Sequence, residues 1–243
     1  SNEIGSCLLI RLRAVAAEGT TSAVLYAANC GGQNKNQYIL ALLVHAVQVT
    51  GIKKLALCFL ERGHTQNEND SVHATIEMAK RKTEIYVPEQ YYSLVRGARR
   101  SKNPYKVHEM DQSEFFDLHQ LASNITMSTD QDGERVKWRQ IRQIAVDRDS
   151  PTIAWIGYGH NEKMKEVELF RKRRAAKGQS KIPTELSTIC RKPLPISSAK
   201  FKDLNALCAA HAIPTAYHRF YKELPYSKST RDDESQCDSE LEE

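Results

Sequence analysis

A chain of 243 residues with 40% hydrophobic content can bury one sizeable core, with room for a smaller appended unit. Its longest apolar run, residues 39–47, falls far short of the roughly 20 residues that a bilayer span needs. Six scattered cysteines (Cys7, Cys30, Cys58, Cys190, Cys208, Cys237) without a C-x-x-C pair argue against a disulfide framework or a zinc ribbon and read as reduced thiols inside the cell. The formal charge of +5 hides an asymmetry, because residues 231–243 carry −6 and leave the rest at +11, an excess that suits a polyanionic partner.

The opening SNEIGSCLLIRLRAV turns apolar almost at once, as expected of a fragment whose upstream part is missing. Ile4, Leu8, Leu12 and Val15 share one helical face, so a helix covers about 3–16 and Gly19 marks its stop. Ala23–Tyr26 is short, apolar and bounded by turn residues, the pattern of a buried strand. From Asn34 the helical period returns through Ile39, Leu42, Leu43, Ala46 and Val47, with Gly51 as the expected C-terminal cap. Residues 54–60 read as a second buried strand, and Val72, Ile76 and Ala79 set a third helix that closes on Lys80, Arg81 and Lys82. This alternation implies parallel strands with helices packed on the sheet.

Beyond residue 85 the pattern is less regular. Tyr91–Arg99 reads as a short basic helix, Tyr105–His108 as extended, and Glu114–Ala122 as another helix. Val136–Val146 alternates with period two and Thr152–Tyr158 is its expected partner strand. Arg171, Lys172, Arg173 and Arg174 form a basic run, Phe201–Cys208 is a final helix, Tyr217–Leu224 ends the ordered part, and the charged tail from about Ser227 has little to bury.

Open parallel sheets place ligands beyond the carboxyl ends of their strands, and two polar loops are expected side by side there. One spans residues 28–36, with Asn29, Gly31, Gly32, Gln33 and Lys35; the other spans 63–73, with His64, Asp70 and His73. Gly31-Gly32 ahead of a helix can cradle a phosphate or can be a turn set by backbone geometry. Lys35 either reaches such a phosphate or is solvated. Asp70, just before an amphipathic helix, fits an N-cap. The run 171–174 suits DNA phosphates, a nuclear localisation signal or a solvated face. Tyr91, Tyr92 and Trp138 beside basic residues either stack on bases or pack on the core.

The strings NCGGQNKN, GHT…NENDSVHATIE and KFKDLNAL…IPTAYHRFY, with the opening NEIGSCLL, resemble a family of transposon-associated proteins with a ribonuclease-H-like (DDE-type) integrase or transposase core. The resemblance spans nearly all of residues 1–225. It implies an α/β ribonuclease-H-like core over 1–125 that lacks its first strands, which leaves a sheet edge exposed. A small C-terminal α+β extension over 126–225 and a disordered acidic tail over 226–243 complete the expected organisation.

In intact relatives, three carboxylates are expected to hold two Mg²⁺ or Mn²⁺ ions that cleave or transfer phosphodiesters. Matched position by position, Asp70 is the third carboxylate, and His73, with His64 nearby, can bind the same metal or the scissile phosphate; a zinc site of these three is the competing assignment. The second carboxylate position holds Ala28, whose methyl binds no cation. The expectation is therefore a catalytically defective DNA-binding protein of the nucleus with weak or no metal binding. The alternative is a non-catalytic nucleic-acid-binding or protein-interaction module.

Overall fold

The computed structural model describes residues 1–61, 67–99, 103–123, 125–170, 183–189 and 192–227. His64 and the run Arg171, Lys172, Arg173, Arg174 lie outside the described residues, as does the chain from 228 onward. The chain divides into two compact units, residues 1–65 with 113–189 and residues 66–112 with 190–243. The boundary expected at 125 falls inside the first unit, because the strands beyond it extend the same sheet.

The first unit is a mixed α/β layer. Helices α1 (Asn2–Ala17) and α2 (Gln37–Val49) alternate with strands β1 (Ser22–Ala27) and β2 (Lys54–Phe59); β3 (Gln143–Asp147), β4 (Ile153–Gly157) and β5 (Lys165–Glu168) follow. The sheet order is β1-β2-β3-β4-β5. As expected, β1 and β2 are parallel, but β3 joins β2 antiparallel, with Gln143 opposite Cys58, and β4 and β5 continue as antiparallel neighbours. Every residue of α2 from Ile39 to Val47 is buried, since the helix lies between the sheet and the helices α1 and α5 (His119–Ala122). Leu55, Leu57, Phe59, Ile144, Val146, Ile156 and Val167 supply the sheet's side of this core, each large side chain contributing about 1.5–3 kcal/mol by leaving water.

Two tertiary features close the layer. Ser6 is fully buried, its Oγ donating to Asn2 O at 2.7 Å and accepting from Phe116 N at 2.8 Å, while Asn2 Oδ1 accepts from Leu118 N at 3.0 Å. A Cβ on Gly5 would stand 2.4 Å from Leu118 Cδ1, so this contact between α1 and the following segment needs glycine. At the other end of α2, the Arg148 guanidinium donates to the carbonyls of Val47 at 2.6 Å, Ile52 at 2.7 Å and Thr50, satisfying acceptors that a helix terminus leaves open.

Gly51 is not a left-handed cap: α2 ends at Thr50, which is extended, with its Oγ1 on Ala46 O at 2.7 Å. Glu114–Ala122 is helical only at Gln112–Glu114 and His119–Ala122, because Ser6 and Asn2 take the amides that helix continuation would use. Tyr105–His108 is irregular. The alternation from Val136 becomes strand only at Gln143, after a 3₁₀ turn at Trp138–Gln140. Strand β5 escapes the sequence pattern, since three of its four residues are charged and only Val167 is buried. The outer strand β1 carries no charge and exposes Val24 and Tyr26, whereas the opposite edge, β5, carries Lys165, Glu166 and Glu168. Charge is a common guard against edge pairing.

The second unit contains α3 (Glu68–Lys80), α4 (Pro88–Ala98), α6 (Ser198–Ala209), α7 (His218–Lys222) and a two-strand pairing of β6 (Ile196–Ser197) with β7 (Tyr226–Ser227). Aromatic rings hold it: Tyr86 stacks on Tyr217 at 5.4 Å, Phe201 on Tyr226 at 4.1 Å, and Tyr217 Oη accepts from Gln90 Nε2 at 2.7 Å. Neither α3 nor α4 contains a fully buried residue.

Candidate functional site

The antiparallel entry of β3 positions the site. Because Gln143 pairs with Cys58, the segment Trp138–Arg142 arrives beside the carboxyl ends of β1 and β2, and Phe59 N donates to Arg142 O at 2.8 Å. The loop leaving β1 meets it there. Asn29, Gly31, Lys35, Glu61, Trp138, Arg139 and Arg142 line a cleft of about 530 Å³.

The loop from Ala28 to Asn36 folds on itself. Cys30 O accepts from Asn34 N and Lys35 N, both at 3.0 Å, and the Asn36 side chain donates to Gln33 O at 3.2 Å and Ser1 Oγ at 3.1 Å. Asn36 is also the N-cap of α2, its Oδ1 accepting from Tyr38 N and Ile39 N. These bonds turn Lys35 inward. Only 6% of the residue is exposed, which corrects the solvated reading. Its ammonium donates to Arg139 O at 2.8 Å and Asn29 Oδ1 at 3.1 Å and lies 5.1 Å from the centroid of the Phe59 ring. Two of its three hydrogens are thus placed, and the ammonium borders the cleft.

Burial, and then the neighbouring Arg142 charge, push the Lys35 pKa down to about 8. A buried cation that pushes against a second cation is a ready partner for an anion. Neither Gly31 nor Gly32 has a left-handed backbone, and neither has an atom within 4 Å of where a Cβ would stand. Backbone geometry therefore does not demand glycine there, contrary to the turn reading. Both glycines leave open room, and Gly31 lines the cleft. Gln33 is exposed and donates no side chain to the cleft wall.

Asp70 and His73 belong to the second unit, on α3. Asn67, not Asp70, is the N-cap; Asp70 stands at the third helical position, where its Oδ2 accepts from Asn67 N at 2.9 Å in a capping box. Asp70 and His73 are both exposed. Among the described residues no group of three or more His, Cys, Asp or Glu side chains could hold a metal ion. One acidic group, Asp130, Asp132 and Glu134, is centred on the Lys165 ammonium at 3.0, 3.0 and 3.4 Å. That contact raises the Lys165 pKa, chiefly through Asp130, and lowers the Asp130 pKa.

A donor set for Mg²⁺ or Mn²⁺ is therefore a poor fit. The position expected to carry the second carboxylate is Ala28, Asp70 already holds an amide, and among the described residues the charged groups lining the cleft are three cations and one carboxylate. Two residues that matter here were not singled out from the sequence, Arg139 and Arg142. Each looks like an ordinary strand or turn charge until the register of β3 brings it beside the loop.

Together the sheet and the cleft define a mixed α/β protein with a basic cleft at the carboxyl ends of two parallel strands. The chain belongs to the family described as Domain of unknown function (DUF7869), whose model matches residues 1–144. All the residues that line the cleft lie inside the matched span. No curated protein and no solved structure matches the chain. Among the described residues no helix is long and apolar enough to cross a membrane.

Proposed function

We propose that the chain is a transposable-element-derived, ribonuclease-H-like protein, defective in catalysis, that works as a nucleic-acid-binding module on DNA in the nucleus. One observation carries this reading: Lys35, Arg139 and Arg142 converge on the cleft at the carboxyl ends of β1 and β2, where open α/β sheets place their ligands. Two features of that cleft favour a phosphate backbone. Lys35 and Arg142 already repel one another, so an anion between them relieves a cost as well as adding an attraction. The open glycine positions allow a bulky polymer to come close to the loop. The expected defect in catalysis is supported by Ala28, which stands where an acid is expected and offers a hard cation no anionic oxygen.

The test is binding of fluorescein-labelled DNA followed by anisotropy across a salt series. Affinity that falls linearly in log–log form, with a slope reduced by about one in Lys35→Met, supports phosphate contact at the cleft. A parallel assay with Mn²⁺ should show no strand cleavage. Salt-independent or absent binding, or metal-dependent cutting by the unaltered chain, overturns the reading.

A further inference from the structure

We infer that the cleft holds an unpaired nucleotide, its phosphate between Lys35 and Arg142 and its base on the indole of Trp138, so that single-stranded nucleic acid is preferred to duplex. The inference rests on the nucleic-acid reading above and goes beyond it in naming which form of nucleic acid the site takes. Three observations lead to it.

The first is the aromatic. Trp138 opens the 3₁₀ turn that precedes β3, packs partly against the core and also lines the cleft beside Arg139 and Arg142. Contacts to phosphates alone have no use for an indole at that place. Stacking on an aromatic side chain is the common way in which proteins take hold of bases, and it needs a base whose face is free. Inside a duplex both faces are covered by neighbouring base pairs.

The second is the spacing of function within the cleft. Its cations and its aromatic lie together on one wall, from Trp138 to Arg142, and Lys35 is tied to that wall by its hydrogen bond to Arg139 O at 2.8 Å. A phosphate and its own base are joined through a single sugar, so a site for both needs this nearness. Among the described residues Glu61 is the only carboxylate in the lining. It repels phosphate from the end of β2 and offers an acceptor to an exocyclic amino group of a base, which gives the strand a direction.

The third is size and preparation. A volume of about 530 Å³ lies in the range of roughly 300–1,000 Å³ typical of small-ligand clefts, and it suits a nucleotide, not a double helix. Lys35 is held by Asn29 Oδ1 and Arg139 O before any ligand arrives, so little side-chain freedom is lost on binding.

The chain contains two tryptophans. Trp155 lies on β4, where its Nε1 donates to Glu166 at 3.4 Å, outside the cleft lining. Full-length Trp155→Phe therefore reports on Trp138 alone. It is titrated, in the presence of a chelator, with an eight-nucleotide single strand of mixed sequence and separately with a duplex of equal length, and each affinity is also read by anisotropy.

The expected result is quenching of Trp138 emission by the single strand and much weaker quenching by the duplex. Single-strand affinity should fall about tenfold in Trp138→Leu, and by a similar factor in Arg142→Gln, with circular dichroism melts showing that both variants fold. Trp138 packs against the hydrophobic core, so Arg142→Gln is the safer variant should Trp138→Leu unfold. Duplex bound as tightly as single strand without quenching overturns this inference and leaves the nucleic-acid reading standing. Unchanged single-strand affinity in both folded variants does the same. Failure of the chain to bind either form removes both.

Discussion

The loop after β1 and the helix start after β2 look alike in sequence, each a polar stretch with Asn, Gly or His ahead of a helix, yet they fold to opposite ends. In the first, Asn36 caps α2 and sends Lys35 inward, where the residue is buried and its ammonium feels the charge of Arg142. In the second, Asn67 caps α3 and Asp70 turns back to hold the Asn67 amide, with its side chain at the surface. A charged group that closes its own helix end is already satisfied. One that is desolvated beside a like charge is not, and function follows the second condition.

Lys35→Met should weaken nucleic-acid binding by at least about tenfold, since an ion-paired phosphate contact of about 1.5–3 kcal/mol is removed, and anisotropy measures it. Asp70→Ala should leave that affinity unchanged; equal losses in both variants would erase the distinction.

Next comes pH. The Lys35 pKa is held near 8, so its charge is present below that value and is lost as pH rises through it. Binding should weaken above about pH 8, somewhat later in the complex, because a bound phosphate favours the ammonium that it faces in company with Arg139, Arg142 and Glu61. Lys35→Arg, with a side chain that keeps its charge, should flatten the profile. A profile unchanged by the substitution would remove Lys35 from the site.

His45 gives a further case, a buried titratable group with no cleft to serve. It is fully buried on α2, its Nδ1 lies 2.8 Å from Pro183 O, and its Nε2 has no hydrogen-bond partner among the described residues. Burial lowers its pKa. The unfolded chain therefore takes up a proton that the folded one refuses, and stability should decline as pH falls below about 6.5. Denaturant melts of the chain and His45→Gln at pH 5 and pH 7 measure it; an equal acid loss in both would assign the effect elsewhere. The smallest effect is on the cap, where Asp70→Ala should lower stability by about 1 kcal/mol or less.

Much of the framework was legible. The period of Ile4, Leu8, Leu12 and Val15, the two short apolar runs, and the stretch Ile39–Val47 gave α1, β1, α2 and β2 within a few residues of their observed ends. Helices α1 and α2 and strand β2 bury residues as their pattern implies, whereas β1, expected to be buried, lies at the sheet edge with Ala23, Leu25 and Ala27 half-buried and Val24 and Tyr26 exposed. What stayed hidden depends on partners distant in sequence. Strand β5 has one buried residue, Val167, and is ordered by pairing with β4. Phe116 and Leu118 give up helix for Ser6 and Asn2, about 110 residues away.

The site divides in the same way. Asn29, Gly31 and Lys35 could be picked out as a loop at a strand end, but whether Lys35 is solvated or buried depends on Arg139 O, 104 residues on. Arg142 and Arg139 become site residues only through the antiparallel register of β3 on β2. No local pattern carries that register. Trp138 was marked as an aromatic among basic residues, and it is its place in the cleft lining that separates it from Tyr91 and Tyr92, which belong to the second unit.

The most direct test of nucleic acid in this cleft is photocrosslinking of the full chain to an oligonucleotide carrying one 5-iodouracil, with the joined peptide identified by mass spectrometry. Attachment is expected at Trp138 or its immediate neighbours, reduced in Lys35→Met. Attachment confined to Arg171–Arg174 or to α3 around Asp70, with the region from Trp138 to Arg142 unlabelled, would contradict it.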